Sequence, residues 1–148
     1  MKWQRLISSG GSPAVILVRL IVSGVFLSEG IQKFLFPAEL GVGRFVKIGI
    51  PSPEVMAPFV GVVEIAGGAL LLAGFLTRLA AIPLIIDMVV AITSTKLPIL
   101  QKSGFWAMAH EARVDYSMLL GCVFLLIAGA GSWSLDAWLS KGIERPDR

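Results

Sequence analysis

The hydrophobic residues of this chain fall into four long runs, at roughly 14–36, 55–75, 79–97 and 114–131, and most of the charges lie between them. A helix crosses a bilayer core with about 20 predominantly apolar residues, so each run reads as a membrane span. Segments 65–75 and 118–131 contain no charged side chain. The helices of a soluble four-helix bundle would each show a polar face, so that alternative fits poorly. The pattern predicts an all-α fold, an integral membrane four-helix transmembrane bundle, as a single domain over residues 1–148.

Prolines and glycines punctuate the runs. Pro13 stands where the first span begins, in a position a helix tolerates, and Pro37 ends that span. The loop 37–54 carries Arg44, Lys47, Pro51 and Pro53, and its GRFVKIGI stretch predicts a short interfacial helix. Only Leu76, Thr77 and Arg78 separate the second and third spans, so these form an antiparallel hairpin. Pro83 lies one turn into span three, and Pro98 is expected to mark its end. Segment 99–113 is amphipathic and too short to cross, which predicts a position at the membrane surface. In the tail, SWSLD (Ser132–Asp136) resembles a helix cap, and Trp133, Trp138 and Ile143 suit the interface. Trp3 and Trp106 also fall outside the spans, where an aromatic belt sits.

Composition agrees with this reading. Hydrophobic residues make up 55% and charged residues 16%, against about 25% charged in soluble domains, and the mean hydropathy is +0.81. The net charge of +3 forms no basic stripe, so no nucleic-acid partner is implied. Cys122 is the only cysteine and His110 the only histidine. One chain therefore cannot supply a dithiol pair, a bis-histidine haem or a histidine-rich metal centre, and no metal site is expected. No phosphate-binding loop or dinucleotide-binding glycine pattern is present. Lys2 and Arg5 precede the first run, but Arg19 interrupts it and no small-residue cleavage site follows, so the first span is expected to be retained.

Four spans put both termini on one side. Lys2, Arg5, Arg78, Lys141, Arg145 and Arg148 lie on the terminal side; Lys33, Arg44, Lys47, Lys96, Lys102 and Arg113 lie on the other. Arg19 tips this even balance towards cytoplasmic termini.

The chemistry-bearing residues are charges inside apolar runs. A carboxylate at bilayer depth costs about 2.5–3.5 kcal/mol on insertion scales, and Glu64 and Asp87 both sit there. Helical spacing puts Arg19, Ser23, Phe26, Gly30 and Lys33 on one face of span one, with Glu29 at its border. Gly61, Glu64 and Gly68 share a face of span two; Ala80, Pro83, Asp87, Ala91 and Ser94 share one of span three. Asp115, Met118, Cys122 and Gly129 share one of span four. Small residues in these stripes let helices approach closely, whereas Leu70–Leu72 and Leu84–Ile86 include large residues suited to lipid. The bundle interior is thus expected to hold Arg19, Glu29, Lys33, Glu64 and Asp87, with His110, Glu111 and Asp115 at the loop-facing end of span four. Together they are candidates for one polar cavity open to the loop side. The competing reading is a set of buried ion pairs that lock the helices, although such pairs are weak evidence for stability.

The ordered set Arg19, FLSEGIQKF with Gly30 and Lys33, Gly49-Ile50-Pro51, Glu64, GGALLLAGFLTR and GAGSWSLD resembles the DoxX family of small bacterial membrane proteins over about residues 14–139. The resemblance implies a multi-pass protein of the bacterial inner membrane, linked to quinol oxidase or thiosulfate:quinone oxidoreduction systems. The chain lacks the cysteines and histidines for a redox centre of its own. This favours an accessory or quinone-interacting subunit of a membrane oxidoreductase system over a stand-alone enzyme. No covalently bound cofactor is expected, and a quinone is the ligand class to test. The implied partners are the lipid bilayer and other oxidoreductase subunits or further copies of the chain. A small transporter or proton-coupled carrier, and a scaffold without ligand, are the alternatives.

Overall fold

The computed structural model describes residues 11–143 and is helical throughout, with no strand among the described residues. In chain order the elements are α1 (Val15–Leu35), α2 (Val42–Lys47), α3 (Pro53–Ala73), α4 (Thr77–Ala128) and α5 (Leu135–Ile143). Three of these, α1, α3 and α4, are long and apolar enough to cross a membrane. The 52-residue α4 is two helices joined at Gly104, whose φ of 81° and ψ of 178° leave the helical region. A positive φ is a conformation that glycine adopts without a Cβ penalty. The two arms return alongside each other: Arg78 donates to the Ile127 carbonyl at 3.2 Å, and Lys96 pairs with Asp115 at 3.1 Å. Four helical arms therefore make up the bundle, as the hydrophobic pattern predicts.

Pro98 does not end the third span, and segment 99–113 is not a separate surface helix. The helix runs through Pro98 to the break at Gly104, and the second arm starts directly after it. Proline forfeits one backbone bond in a helix interior, and the turns on either side carry the helix past it. The first arm, residues 77–103, is about 40 Å long at 1.5 Å per residue. It outruns a hydrocarbon core of about 30 Å, so the hairpin tip projects on the loop side. There Phe105 and Trp106 meet edge to face with ring centroids 5.3 Å apart.

α1 packs most extensively on α3, and glycine makes this possible. A Cβ on Gly30 would lie 2.8 Å from the Gly61 carbonyl oxygen, and one on Gly68 would lie 2.9 Å from Leu27. The apolar core is built from Val22, Phe26, Leu71, Leu84, Met118, Cys122 and Leu125. Leu71 and Leu84 are fully buried, while their neighbours Leu72 and Ile86 face outwards. Each of the two stretches thus includes a large residue on the outer face, as expected, beside one that belongs to the core. Pro83 is exposed, so it leaves the inward stripe assigned to it. Around the bundle, Leu17, Ile21, Val62, Ile86 and Ile127 are each at least 57% exposed, which gives the apolar belt a bilayer covers. Trp106, Trp133 and Trp138 are exposed at its ends. Trp3 lies outside the described residues, as do Lys2, Arg5, Arg145 and Arg148.

Candidate functional site

Buried polar groups gather at two levels of the bundle. The first is on the terminal side, where the chain must close three helix ends at once. α3 stops at Gly74, which takes a φ of 66°. Gly74 N–H donates to the Leu71 carbonyl and Phe75 N–H to the Leu70 carbonyl, the pairing of a Schellman motif. Arg19 completes the closure. Its Nε donates to Leu71 O at 2.8 Å and its Nη2 to Leu72 O at 2.7 Å. Its Nη1 donates to Ala130 O at 3.1 Å and Trp133 O at 2.6 Å. One guanidinium thereby ties together carbonyls from the end of α3 and from the chain after α4. Gly74 is small because it must be: a Cβ there would lie 2.5 Å from Arg19 Nη2.

Asp136 is the counterpart of Arg19 and is also buried. Its carboxylate accepts from Leu76 N–H at 2.8 Å and Thr77 N–H at 3.1 Å. It thus caps α4 across 60 residues of sequence, where Leu76 holds an unfavourable positive φ of 49°. The nearer cap in SWSLD is Ser134, whose Oγ accepts from Ala137 N–H at 3.1 Å at the start of α5. The SWSLD signal was therefore a real cap, but its aspartate serves a different helix. Thr77 Oγ1 is buried here without a hydrogen-bond partner among the described residues. Arg19 is accordingly not a member of the loop-side cavity.

The second level is that cavity, with a volume of about 410 Å³. Lys33 from α1 pairs with Glu64 from α3, Nζ to Oε2, at 2.6 Å, and both side chains are at most 10% exposed. Asp87, from the first arm of α4, faces the Glu64 carboxyl and feels the charges of Lys33 and Asp115. The Asp87 and Glu64 carboxyls share a side-chain hydrogen bond, and Asp87 Oδ2 is buried. Across the cavity, Lys96 and Asp115 form their own pair. Val25, Phe26, Met56, Val60, Met88 and Met118 supply apolar wall. Leu40, Arg44, Phe45, Ile48 and Ile50 close the loop side from α2 and its flanks.

Lys33, Glu64, Asp87 and Asp115 therefore come together as their spacing implied. Glu29 lines the same cavity but is itself exposed and sits at its edge, so it is not an interior charge. His110 is exposed and does not line the cavity; its carbonyl accepts from Arg113 on the same face. Glu111 is exposed as well. Sequence reading missed Lys96 as a cavity residue, the helix that Asp136 caps, and the place of the short α2 helix over the cavity. Lys96 lies nine residues after Asp87, on the opposite side of a helix, and enters through its long flexible stem. Only the need of Asp115 for a partner signals it. Among the described residues, no group of three or more His, Cys, Asp or Glu side chains is placed to hold a metal ion.

Comparison with known proteins adds to this geometry. Residues 14–97 match the DoxX family. The chain is 58% identical over 145 residues to the uncharacterized membrane protein Rv3486 of Mycobacterium tuberculosis, covering 94% of this chain and 89% of that one. It is 31% identical to a Bacillus subtilis protein named "putative oxidoreductase CatD", covering 86% and 87%. It is 33% identical to an uncharacterized protein of Haemophilus influenzae, covering 80% and 85%. No solved structure matches the chain significantly.

Proposed function

The chain belongs to the DoxX family of membrane proteins, and on that premise we propose that it is a quinone-interacting subunit of a membrane oxidoreductase system. The observation that carries this reading is the make-up of the loop-side cavity. Its volume of about 410 Å³ lies within the roughly 300–1,000 Å³ typical of small-molecule sites. Apolar side chains form much of its wall, and the polar groups that orient a head group gather at Lys33, Glu64 and Asp87. Lys33 has three N–H donors and gives one to Glu64, so others remain for a head-group oxygen. The resemblance to a named oxidoreductase of B. subtilis is in keeping with this role. The protein would bind and position the quinone, and electron transfer would belong to a partner subunit.

The same reading puts the protein in the bacterial inner membrane with both termini in the cytoplasm. Arg19 lies at the terminal end of the bundle and adds to the positive charge of that side. A reporter fused after Arg148 should therefore be active only in its cytoplasmic form.

Calorimetric titration of decylubiquinone into the purified protein in detergent tests the ligand. Saturable binding is expected for the wild type and binding at least about tenfold weaker for Lys33→Met. Lys33→Met/Glu64→Leu, which removes both members of the ion pair, serves as the folded control. Absence of binding by the wild type, or equal binding by wild type and both variants, would refute the quinone reading.

A further inference from the structure

Three arms of the bundle each bring one ionisable side chain to a single spot. Lys33 comes from α1, Glu64 from α3 and Asp87 from the first arm of α4, and all three line the cavity. Lys33 Nζ donates to Glu64 Oε2 at 2.6 Å. The Glu64 and Asp87 carboxyls share a side-chain hydrogen bond. An ionised carboxylate can only accept such a bond, and a carboxyl donates one only when it carries a proton. Two carboxyls in this contact therefore need a proton between them.

The charges around the pair point the same way. Lys96 of the first arm is held at 3.1 Å by Asp115 of the second, so it is already matched to a carboxylate of its own. Arg44 of α2 and Glu29 of α1 also line the cavity, but both are exposed and their charges are opposite. Cys122 faces Asp87 from the second arm and brings a thiol, not a cation. Among the described residues, Lys33 is thus the cation left to balance two carboxyls. With one proton on the pair, a single negative charge meets a single positive charge. With none, two like charges lie side by side in an apolar bundle, where both cannot stay ionised. With two, Lys33 loses its counter-charge, the costly state for a buried ion. Burial also keeps the proton from bulk water, since Glu64 is buried and Asp87 Oδ2 is shut off from solvent.

We propose that Glu64 and Asp87 form a proton-binding site, which holds one proton in common at neutral pH and exchanges it through the cavity, with Lys33 as the fixed counter-charge. The proton belongs to the pair rather than to either residue, and its uptake makes one O–H bond and breaks none in the protein. The site stands whether or not a quinone binds beside it.

Infrared spectroscopy of the purified protein in detergent at neutral pH, with no ligand present, tests the proposal. The wild type should show the C=O stretch of a protonated carboxyl, and the band should shift in deuterium oxide. Glu64→Gln and Asp87→Asn each leave one carboxyl to Lys33, so each should lose the band altogether. Lys33→Met removes the counter-charge, and its band should be stronger than that of the wild type, up to about twofold as both carboxyls take a proton. A wild type without the band would overturn the proposal with no variant needed. A band that persists in a folded Glu64→Gln or Asp87→Asn protein would overturn it as well, because the proton would then belong to another group or to one residue alone. A folded Lys33→Met protein whose band is no stronger than that of the wild type would remove the counter-charge, and the proposal with it.

Discussion

The two buried polar clusters of this bundle use similar residues for opposite ends. On the terminal side, the Arg19 guanidinium meets four backbone carbonyls and the Asp136 carboxylate meets two backbone N–H groups. Their partners are main-chain atoms at the end of α3, in the chain after α4 and at the start of α4. On the loop side, Lys33, Glu64, Asp87, Lys96 and Asp115 meet other side chains, and about 410 Å³ lies between them. A side-chain pair in a bilayer is not needed to satisfy the backbone, and apolar replacements of such pairs often serve the fold equally well. Burial of charge alone therefore does not identify a functional site. What separates the two clusters is the identity of the partners, backbone in one and side chain in the other, together with space for a ligand.

The sharpest way to break this contrast is Arg19→Met. It removes a buried cation and the four hydrogen bonds by which it ties the end of α3 to the chain after α4. A loss of about 3–5 kcal/mol is expected, the scale for stranding buried partners of a charge. Thermal unfolding in detergent, followed by helical circular dichroism, should show this as a large drop in midpoint or as failure to recover folded protein. No second substitution should restore it, because the partners are backbone. A variant of near wild-type stability would mean that the terminal-side knot is as dispensable to the fold as the cavity charges.

The same contrast explains what was legible from residues alone. Helical spacing gives the direction in which a side chain points, and it placed Arg19, Ser23, Phe26, Gly30 and Lys33 on the inward face of α1 correctly, all but the half-buried Lys33 being buried. Spacing says little about which residues meet. Arg19 and Lys33 share a direction but lie 14 residues apart in α1, about 21 Å along the axis, and so belong to different clusters. Span number was readable because apolar length is set by bilayer thickness. The extent of α4 was not, because Pro98 weakens a helix without deciding its end, whereas the positive φ at Gly104 does. His110 is a candidate for the cavity by its place at the loop-facing end of span four, but the helix turns it onto an exposed face. Asp136 was seen as a cap, but its target lies 60 residues away in sequence, beyond the reach of any local pattern.

A second comparison, smaller in effect, is made inside the cavity. Glu64→Leu alone removes the hydrogen-bonded partner of Lys33, leaving Asp87 as its nearby carboxyl, and should cost about 1–3 kcal/mol. Lys33→Met/Glu64→Leu removes both partners and should return to within about 1 kcal/mol of the wild type, since apolar pairs of similar volume pack where the ions did. Both variants should lose quinone binding. Stability recovered without binding would assign the pair to the ligand. A double variant as unstable as the single one would make the pair part of the fold, like Arg19.

The smallest expected effect lies between the two clusters. Cys122 is fully buried in the apolar layer with Val22, Leu71, Leu84 and Leu125, which separates the knot from the cavity. It is the only thiol of the chain, so no internal disulfide depends on it, and its position beside Leu125 and Met118 is that of a small hydrophobe. Cys122→Ala removes one atom from the core and should cost about 1 kcal/mol through lost burial and a small void. Decylubiquinone affinity should stay within about twofold, because the sulfur is not among the groups that line the cavity. Loss of affinity with stability intact would mean that the layer transmits packing changes to the Asp87 end of the site. The two clusters would then be mechanically one, and their separation in this structure would not describe how they work.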